Sequence, residues 1–186
     1  MANTAANVTT GKPKVGGAIY FAPADTALPK STSAALTSFT ALGYVSEDGV
    51  TNDNAPATEK VKAWGGDTVL NLQTERPDSF GFTLIEALNA DVLKRVYGED
   101  NVTVSESGDI AIAATGDDME TGVWVIDMIL KGGKAKRIVI PAGSITGLST
   151  INYKDNAAIG YGLTISNTPV YDETLAKSVY HYEYIA

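Results

Sequence analysis

The side chains that could perform catalysis are few in this chain of 186 residues. It contains no cysteine, which rules out a disulfide framework, a thiolate nucleophile and thiolate metal ligands. His181 is the single histidine, so a catalytic triad or a histidine metal cluster would have to depend on this one residue. We expect His181 to be an ordinary strand residue, and we predict no catalytic site, no cofactor and no metal site.

Two other segments resemble ligand sites, but each lacks residues that the chemistry requires. Lys131-Gly132-Gly133-Lys134 has neither the first glycine nor the following Ser or Thr of a phosphate-binding loop. Asp117-Asp118-Met119-Glu120 lacks the alternating oxygen ligands of a helix–loop–helix calcium site. We interpret the first segment as a basic hairpin turn and the second as a solvated acidic loop.

The overall charge and the hydropathy pattern exclude further classes of function. A net charge of −8 disfavours ordinary nucleic-acid binding, which needs Lys and Arg to displace counterions from phosphates. The N-terminus has neither the basic region nor the apolar segment of a secretory signal. No apolar run approaches the roughly 20 residues that cross a bilayer. We therefore expect a soluble protein that is made in a cytoplasm and has no membrane partner.

The apolar pattern predicts a mainly β chain with one helix, and we expect one domain over residues 1–186. Residues 1–15 are rich in Ala, Asn and Thr and are predicted to be a flexible N-terminal arm. The helix is predicted at residues 89–97, where Asn89 can cap it and Gly98 can end it. Strands are predicted at residues 17–22, 102–104, 110–114, 123–130, 137–140, 146–153, 158–166 and 178–184, of which 123–130 is central and fully buried.

Residues 68–85 predict two strands that pair with each other. Thr68–Glu75 alternates, with Leu70 and Leu72 on one face and polar residues on the other. Residues 80–85 resume the apolar alternation after a turn at residues 76–79. We therefore predict an antiparallel pair with one packed face and one polar face.

Residues 46–66 precede this pair and are predicted to be a long loop. Most connections have roughly 4–6 residues, and much longer ones are usually functional or disordered. Trp64 lies beside two glycines and either anchors the base of the loop in the core or contacts a neighbouring subunit. Near the C-terminus, alternate tyrosines form either an interface anchor or the edge of the core: Tyr180, Tyr182 and Tyr184.

Several of these segments, taken in order, resemble a known family. The series comprises residues 17–22, 42–50, Lys62-Ala63-Trp64, residues 80–86, Val96-Tyr97-Gly98, residues 137–141 and the aromatic C-terminus. It resembles the major tail tube protein of long, non-contractile-tailed (siphovirus-type) bacteriophages of Gram-positive, actinobacterial hosts. The resemblance covers nearly the whole chain.

The resemblance implies the tail tube fold, an antiparallel β-sandwich or barrel with one flanking α-helix, a long inter-ring loop and a flexible N-terminal arm. It implies a structural virion protein that self-assembles into stacked hexameric rings, through which double-stranded DNA passes without specific binding. The implied partners are other copies of the chain and the tail terminator, tape measure and tail tip proteins. The implied location is the virion tail, after assembly in the host bacterial cytoplasm.

Within this interpretation, the loop and the strand pair provide the contacts of the tube. The inter-ring candidates are Glu47, Asp48, Asn52, Asp53, Lys60, Lys62 and Trp64, and the lumen-facing candidates are Asn71, Gln73, Glu75 and Thr83. An acidic wall would repel DNA and let it slide, whereas a basic wall would retain it. The alternative left open is a β-sandwich module that binds a carbohydrate or a host surface, with Trp64 or the tyrosines as a stacking platform.

Overall fold

The structure is a computed structural model that describes residues 3–14 and 17–186. In this part of the chain there is one α-helix, α1 Ala90–Tyr97, and there are 3-10 helices at Ala5–Asn7 and Glu99–Asn101. The strands are β1 Gly11–Pro13, β2 Ile19–Pro23, β3 Thr40–Ala41, β4 Val45–Asp53, β5 Ala57–Lys62, β6 Thr68–Glu75, β7 Ser79–Leu84, β8 Val102–Val104, β9 Ile110–Ile112, β10 Gly122–Leu130, β11 Ala135–Leu148, β12 Tyr161–Asn167, β13 Val170–Asp172, β14 Lys177–Val179 and β15 Tyr182–Ile185. The chain is therefore mainly β, as the sequence predicted.

Nine strands form the main antiparallel sheet, in the order β3-β2-β10-β11-β12-β7-β4, with β1 also paired to β10 and β15 to β11. The strand β11 holds both β15 and β12 along one edge, because β15 pairs with its first half and β12 with its second half. The other strands form three two-stranded sheets, β5-β6, β8-β9 and β13-β14. On the side of β11 away from β10, the sheet therefore has two branches: β15 alone, and β12 followed by β7 and β4.

The sequence predicted two strands, 137–140 and 146–153, where the structure has the single strand β11. Pro141 lies in this strand at a point where the register between β10 and β11 is irregular, so its missing N–H breaks no regular ladder. Next to this irregularity, the Trp124 indole Nε1 donates to the Gly143 carbonyl at 3.0 Å. A Cβ on Gly143 would lie 2.8 Å from the Trp124 ring, so only glycine fits here.

The main core lies on one face of β10 and β11. Trp124 and Ile126 of β10 and Ile138 and Ile140 of β11 point to this face, as the two-residue period of a strand requires. They pack with aromatic and aliphatic side chains of β2, β7, β12 and α1: Ile19, Phe21, Phe80, Phe82, Leu84, Val92, Leu93, Val96, Leu163 and Ile165.

The opposite face of β10 is buried as well over residues 122–127, which confirms the prediction of a central strand, whereas Met128, Ile129 and Leu130 are only half-buried. Val123, Val125 and Val139 pack against Tyr20, Leu28, Leu36 and Phe39 from β2 and the segment between β2 and β3. The rings of Tyr182 and Tyr184 complete this second cluster, stacked with their centroids 6.4 Å apart. These two tyrosines therefore belong to the edge of the core, whereas Tyr180 lies before β15 begins.

The predicted helix is confirmed at α1. The Asn89 side chain accepts a hydrogen bond from the Asp91 N–H at 3.0 Å, and Gly98 ends the helix with a φ of 101°, which favours glycine. Near the C-terminal end of α1, Arg95 is buried over the Phe21 ring, 4.2 Å from its centroid, and pairs with Glu99 and Glu120. The helix is thus fixed to β2 by the packing of Arg95 on Phe21, and its ion pairs join it to the segments that contain Glu99 and Glu120.

Two predictions about the first half of the chain need correction. Thr68–Glu75 does not pair with the strand at residues 79–84: it pairs with β5, whereas β7 pairs with β4 and β12. Residues 46–66 are mostly strand rather than loop, because they contain most of β4 and all of β5. Within the predicted arm, Gly11–Pro13 pairs with the end of β10, and Met1, Ala2 and Val15 lie outside the described residues.

No helix in the described part of the chain is long and apolar enough to cross a membrane.

Candidate functional site

The strands β5 and β6 form a hairpin that is a sheet of its own, and every residue in both strands is exposed. Its turn is closed by a hydrogen bond from the Ala63 N–H to the Asp67 carbonyl at 2.8 Å. Gly65 and Gly66 occupy this turn with φ of 118° and 100°, a backbone region that other residues rarely adopt. The hairpin at residues 57–75 is therefore an arm that extends the β4–β7 pair.

One face of this hairpin is apolar. Val61 lies opposite Leu70, and Leu72 lies opposite Glu59, so the three aliphatic side chains share one face. Their exposed fractions are 41%, 50% and 44%. The other face is mostly polar, with Lys60 opposite Asn71 and Thr58 opposite Gln73, and it also carries the exposed Val69. An isolated two-stranded hairpin is marginally stable in water, and grouped exposed apolar side chains mark contact sites. The apolar face is therefore a candidate contact surface.

Trp64 lies in the turn at the tip of the hairpin. It is fully exposed, with a relative accessibility of 107%. The hypothesis that Trp64 anchors the base of a loop in the core is therefore wrong. A contact with a neighbouring subunit stays a prediction for this residue.

The base of the hairpin is held by a polar network around Asp78, which is buried. Asn52 donates to Asp78 Oδ1 at 2.7 Å, and Asn167 donates to Asp78 Oδ2 at 3.1 Å. His181 Nδ1 lies 2.5 Å from the same Oδ2. The network joins β4, β12 and the C-terminal segment at the point where the hairpin leaves the main sheet, so the base of the hairpin is fixed.

His181 lies directly before β15, with its ring edge-to-face on Phe80 at 5.2 Å between centroids. An Asp–His pair of this kind can act in catalysis only if the second ring nitrogen contacts a nucleophile. Among residues 3–14 and 17–186, no hydroxyl forms a hydrogen bond with His181. Its observed contacts position the hairpin base.

A second candidate surface is the polar face of β4, β7, β12 and the end of β11. Along β7 and β12, buried Phe80, Phe82, Leu163 and Ile165 alternate with small residues that point away from the core. These small residues and their neighbours are Thr51, Asp53, Ser79, Gly81, Thr83, Ser144, Thr146, Gly162, Thr164 and Ser166. One of these ten is acidic and none is Lys or Arg, so this polar sheet face has little charge of either sign.

The structure separates the predicted site residues into three places. Glu47, Asp48, Asn52 and Asp53 belong to β4, and Lys60, Lys62 and Trp64 belong to the hairpin. Of the lumen-facing candidates, Asn71, Gln73 and Glu75 are on β6, whereas Thr83 is on β7 in the main sheet. The candidates therefore do not form one continuous surface in the protomer.

The sequence interpretation missed the contacts of Asp78 and Asn167. Their partners are distant in sequence: Asp78 and Asn167 are 89 residues apart, and Asp78 and His181 are 103 residues apart. No local pattern predicts such a pairing. The apolar face of the hairpin had a signal, since Leu70 and Leu72 were predicted to share a face, but their partner strand was misassigned.

Within the part of the chain that the structure describes, no group of His, Asp or Glu side chains is arranged to hold a metal ion. A family model described as "Phage tail tube protein" matches residues 1–181. No curated protein matches the chain.

Proposed function

The chain belongs to the phage tail tube protein family, and from this premise we propose that it forms stacked hexameric rings through which double-stranded DNA passes into the host. The family assigns it a structural role in the virion tail, with self-assembly and contacts to other tail components. We further propose that those components are the tail terminator, tape measure and tail tip proteins, and that assembly takes place in the host cytoplasm.

The observation that carries this proposal is the uncovered apolar face of the hairpin. Val61, Leu70 and Leu72 are each about half exposed. Burying the remaining exposed surface of each side chain favours association by roughly 1 kcal/mol, and every subunit of an assembly contributes this free energy. A neighbouring copy supplies such a cover, so the hairpin is the proposed contact between subunits, with Lys60, Lys62 and Trp64 at its polar face and tip.

The proposed wall of the lumen is the polar face of β4, β7, β12 and the end of β11. Thr83 lies in this face, whereas Asn71, Gln73 and Glu75 reach the lumen only if the hairpin also lines it. Because the face has no Lys or Arg, DNA would make no counterion-releasing contacts with it and would slide. Among the described strands, β4 lies at the edge of the main sheet, so the sheet could continue there into a neighbouring copy, which would remove an exposed edge.

The test is to compare hairpin variants that differ only in which face they change. We expect the wild-type chain to form rings or tubes in negative-stain microscopy and to sediment as a large species. Leu70→Ser with Leu72→Ser should remain folded and monomeric, because the apolar cover is lost. The matched control, Asn71→Ser with Gln73→Ser on the polar face, should still assemble.

Two results would contradict the proposal. A wild-type chain that stays monomeric at all concentrations and binds a carbohydrate would instead support the adhesion module, with Trp64 as the stacking residue. Equal assembly of the two double variants would show that the apolar face is not the contact.

A further inference from the structure

Charge is strongly segregated along the chain around β10. From residue 96 to residue 130 there are eight Asp or Glu residues and no Lys or Arg. From residue 128 to residue 154 there are five Lys or Arg residues and no Asp or Glu. The sign of the charge therefore changes at the turn between β10 and β11.

The structure gathers basic side chains at the end of β10. Lys131 and Lys134 lie in the turn to β11 and are exposed. Lys12 of β1 lies opposite Ile129, near the same turn, and the Lys131 N–H donates to the Thr10 carbonyl at 3.2 Å. Two carboxylates lie close by, but Asp127 is buried in its pair with Arg137, and Glu183 pairs with Lys136. We call Lys12, Lys131 and Lys134 the basic end.

Acidic side chains collect at the start of β10. Asp117 and Asp118 are exposed in the segment that leads into Gly122. This segment is fixed: Asn101 donates to Thr115 Oγ1 at 2.8 Å, and Thr115 donates to Asp117. Asp100 is exposed next to Asn101. Glu120 is used by Arg95, so we call Asp100, Asp117 and Asp118 the acidic end.

The two ends lie at opposite ends of one strand. With nine residues in β10, they are separated by roughly 26 Å at about 3.3 Å per residue. This distance exceeds the screening length of about 8 Å at physiological ionic strength, so the two ends cannot neutralise each other within one copy. Each end therefore presents charge that a partner outside the protomer can contact.

We propose that the basic end of one copy docks on the acidic end of another copy, head to tail, which rests on the proposed self-assembly. Such a contact joins two different surfaces of the same chain and can therefore repeat from copy to copy. Charge complementarity sets the polarity of addition, because two copies that meet with like ends repel each other.

A second copy fits the basic end better than a nucleic acid does. The chain has a net charge of −8, so a polyanion that reaches the three lysines is repelled by the rest of the surface. Another copy presents its acidic end with fixed geometry.

The experiment uses charge reversal at each end of the full chain. Lys131→Glu with Lys134→Glu makes both ends acidic, and Asp117→Lys with Asp118→Lys makes both ends basic. Each double variant alone should require at least about a tenfold higher concentration to assemble than the wild type, because like charges then face each other. An equimolar mixture should assemble again, since the two variants present complementary ends.

The control is Lys30→Glu with Lys177→Glu, which changes the net charge by as much as the lysine-end variant does, but at positions beside Asp172 that belong to neither end. It should assemble like the wild type, and circular dichroism should show that every variant is folded. If the wild type forms tubes and the charge variants assemble equally well, this inference is overturned, whereas the proposed function is not. A lysine-end variant that loses duplex DNA binding and is not rescued by mixing would overturn it in favour of a nucleic acid partner.

Discussion

Arg137 shows how a charge can be kept in the interior of this sheet. Its exposed fraction is 1%, and its guanidinium donates to both oxygens of Asp127, at 2.6 and 2.7 Å. It also donates to the carbonyls of Ser31 and Ala34 at 3.0 and 2.7 Å. Arg137 therefore fastens the segment between β2 and β3 over the second hydrophobic cluster.

Replacing Arg137 by Met should destabilise the protomer by about 3–5 kcal/mol, because Asp127 would stay buried with only the half-exposed Lys14 ammonium, 3.3 Å away, as its charge partner. Urea unfolding measures this loss. Lys136→Met is the matched control: its pair with Glu183 is partly exposed to solvent, so we expect a loss below about 1 kcal/mol. Equal losses for the two variants would show that the buried pair does not hold the fold.

Tyr182 makes the stability depend on alkaline pH. Burial and a hydrogen bond to Asp172, 2.6 Å long, raise the pKa of Tyr182 to about 12, compared with about 10 for a free tyrosine. The folded state therefore favours the protonated phenol. This contribution is fully present below about pH 10 and is lost as the pH rises towards 12.

In Tyr182→Phe, the fall in the free energy of unfolding at alkaline pH should accordingly be smaller than in the wild type by about 1–2 kcal/mol, after allowance for the partial exposure of the ring. Unfolding free energies between about pH 9 and pH 12 test this, with Tyr171→Phe, an exposed tyrosine, as the control. The prediction fails if both variants lose stability with the same slope as the wild type.

At the scale of elements, the helix α1 and the strand β10 were predictable because nearby residues in the sequence determine them. The Asn89 cap, the Gly98 stop and the apolar stripe of α1 are all within ten residues, so the helix was predictable. The run of apolar residues in β10, broken only by Asp127, likewise predicted a strand buried on both faces, and residues 122–127 are buried. These signals do not depend on a distant partner.

Strand pairing was not predictable in the same way. Alternation in β6 correctly placed Leu70 and Leu72 on one face, but alternation does not specify the neighbouring strand. Residues 76–79 have turn chemistry, yet the chain continues there from the hairpin into β7, and the true turn is the one with Gly65 and Gly66. Asp78 is held by residues far along the chain, which a single sequence does not reveal.

The hairpin should be separable from the fold of the main sheet. Replacing residues 57–75 by a short Gly-Ser linker removes only exposed residues in a sheet of their own. We expect a Tm close to that of the wild type in circular dichroism and no assembly in sedimentation. Deleting residues 51–56 is the informative contrast, since Thr51, Asn52 and Asp53 pair with β7. That deletion should lower the Tm. If residues 51–56 were only an inter-ring loop, their deletion would leave the Tm unchanged.

At the scale of the whole molecule, the proposed tube assigns different tasks to different surfaces. In this proposal, the apolar hairpin face would cover a neighbour, the charged ends would set the direction of docking, and the polar sheet face would meet DNA. Thr164 is the most direct marker of the last surface, because it is exposed in the protomer and lies opposite Gly81 in the middle of the face. If the rings form as proposed, Thr164 becomes enclosed.

The absence of cysteine makes this enclosure measurable, because one introduced thiol reports on one position. In Thr164→Cys, small and bulky maleimides should both react with dissociated subunits, whereas only the small reagent should react quickly with assembled tubes. Asn71→Cys tests in the same way whether the hairpin candidates on β6 become enclosed. Lys30→Cys, on an exposed loop, is the control that should react in both states. Rapid reaction of Thr164→Cys tubes with the bulky reagent would place this face outside the tube. Protection of Asn71→Cys as well would extend the wall to the polar face of the hairpin, since burial at the apolar contact covers only the opposite side of β6.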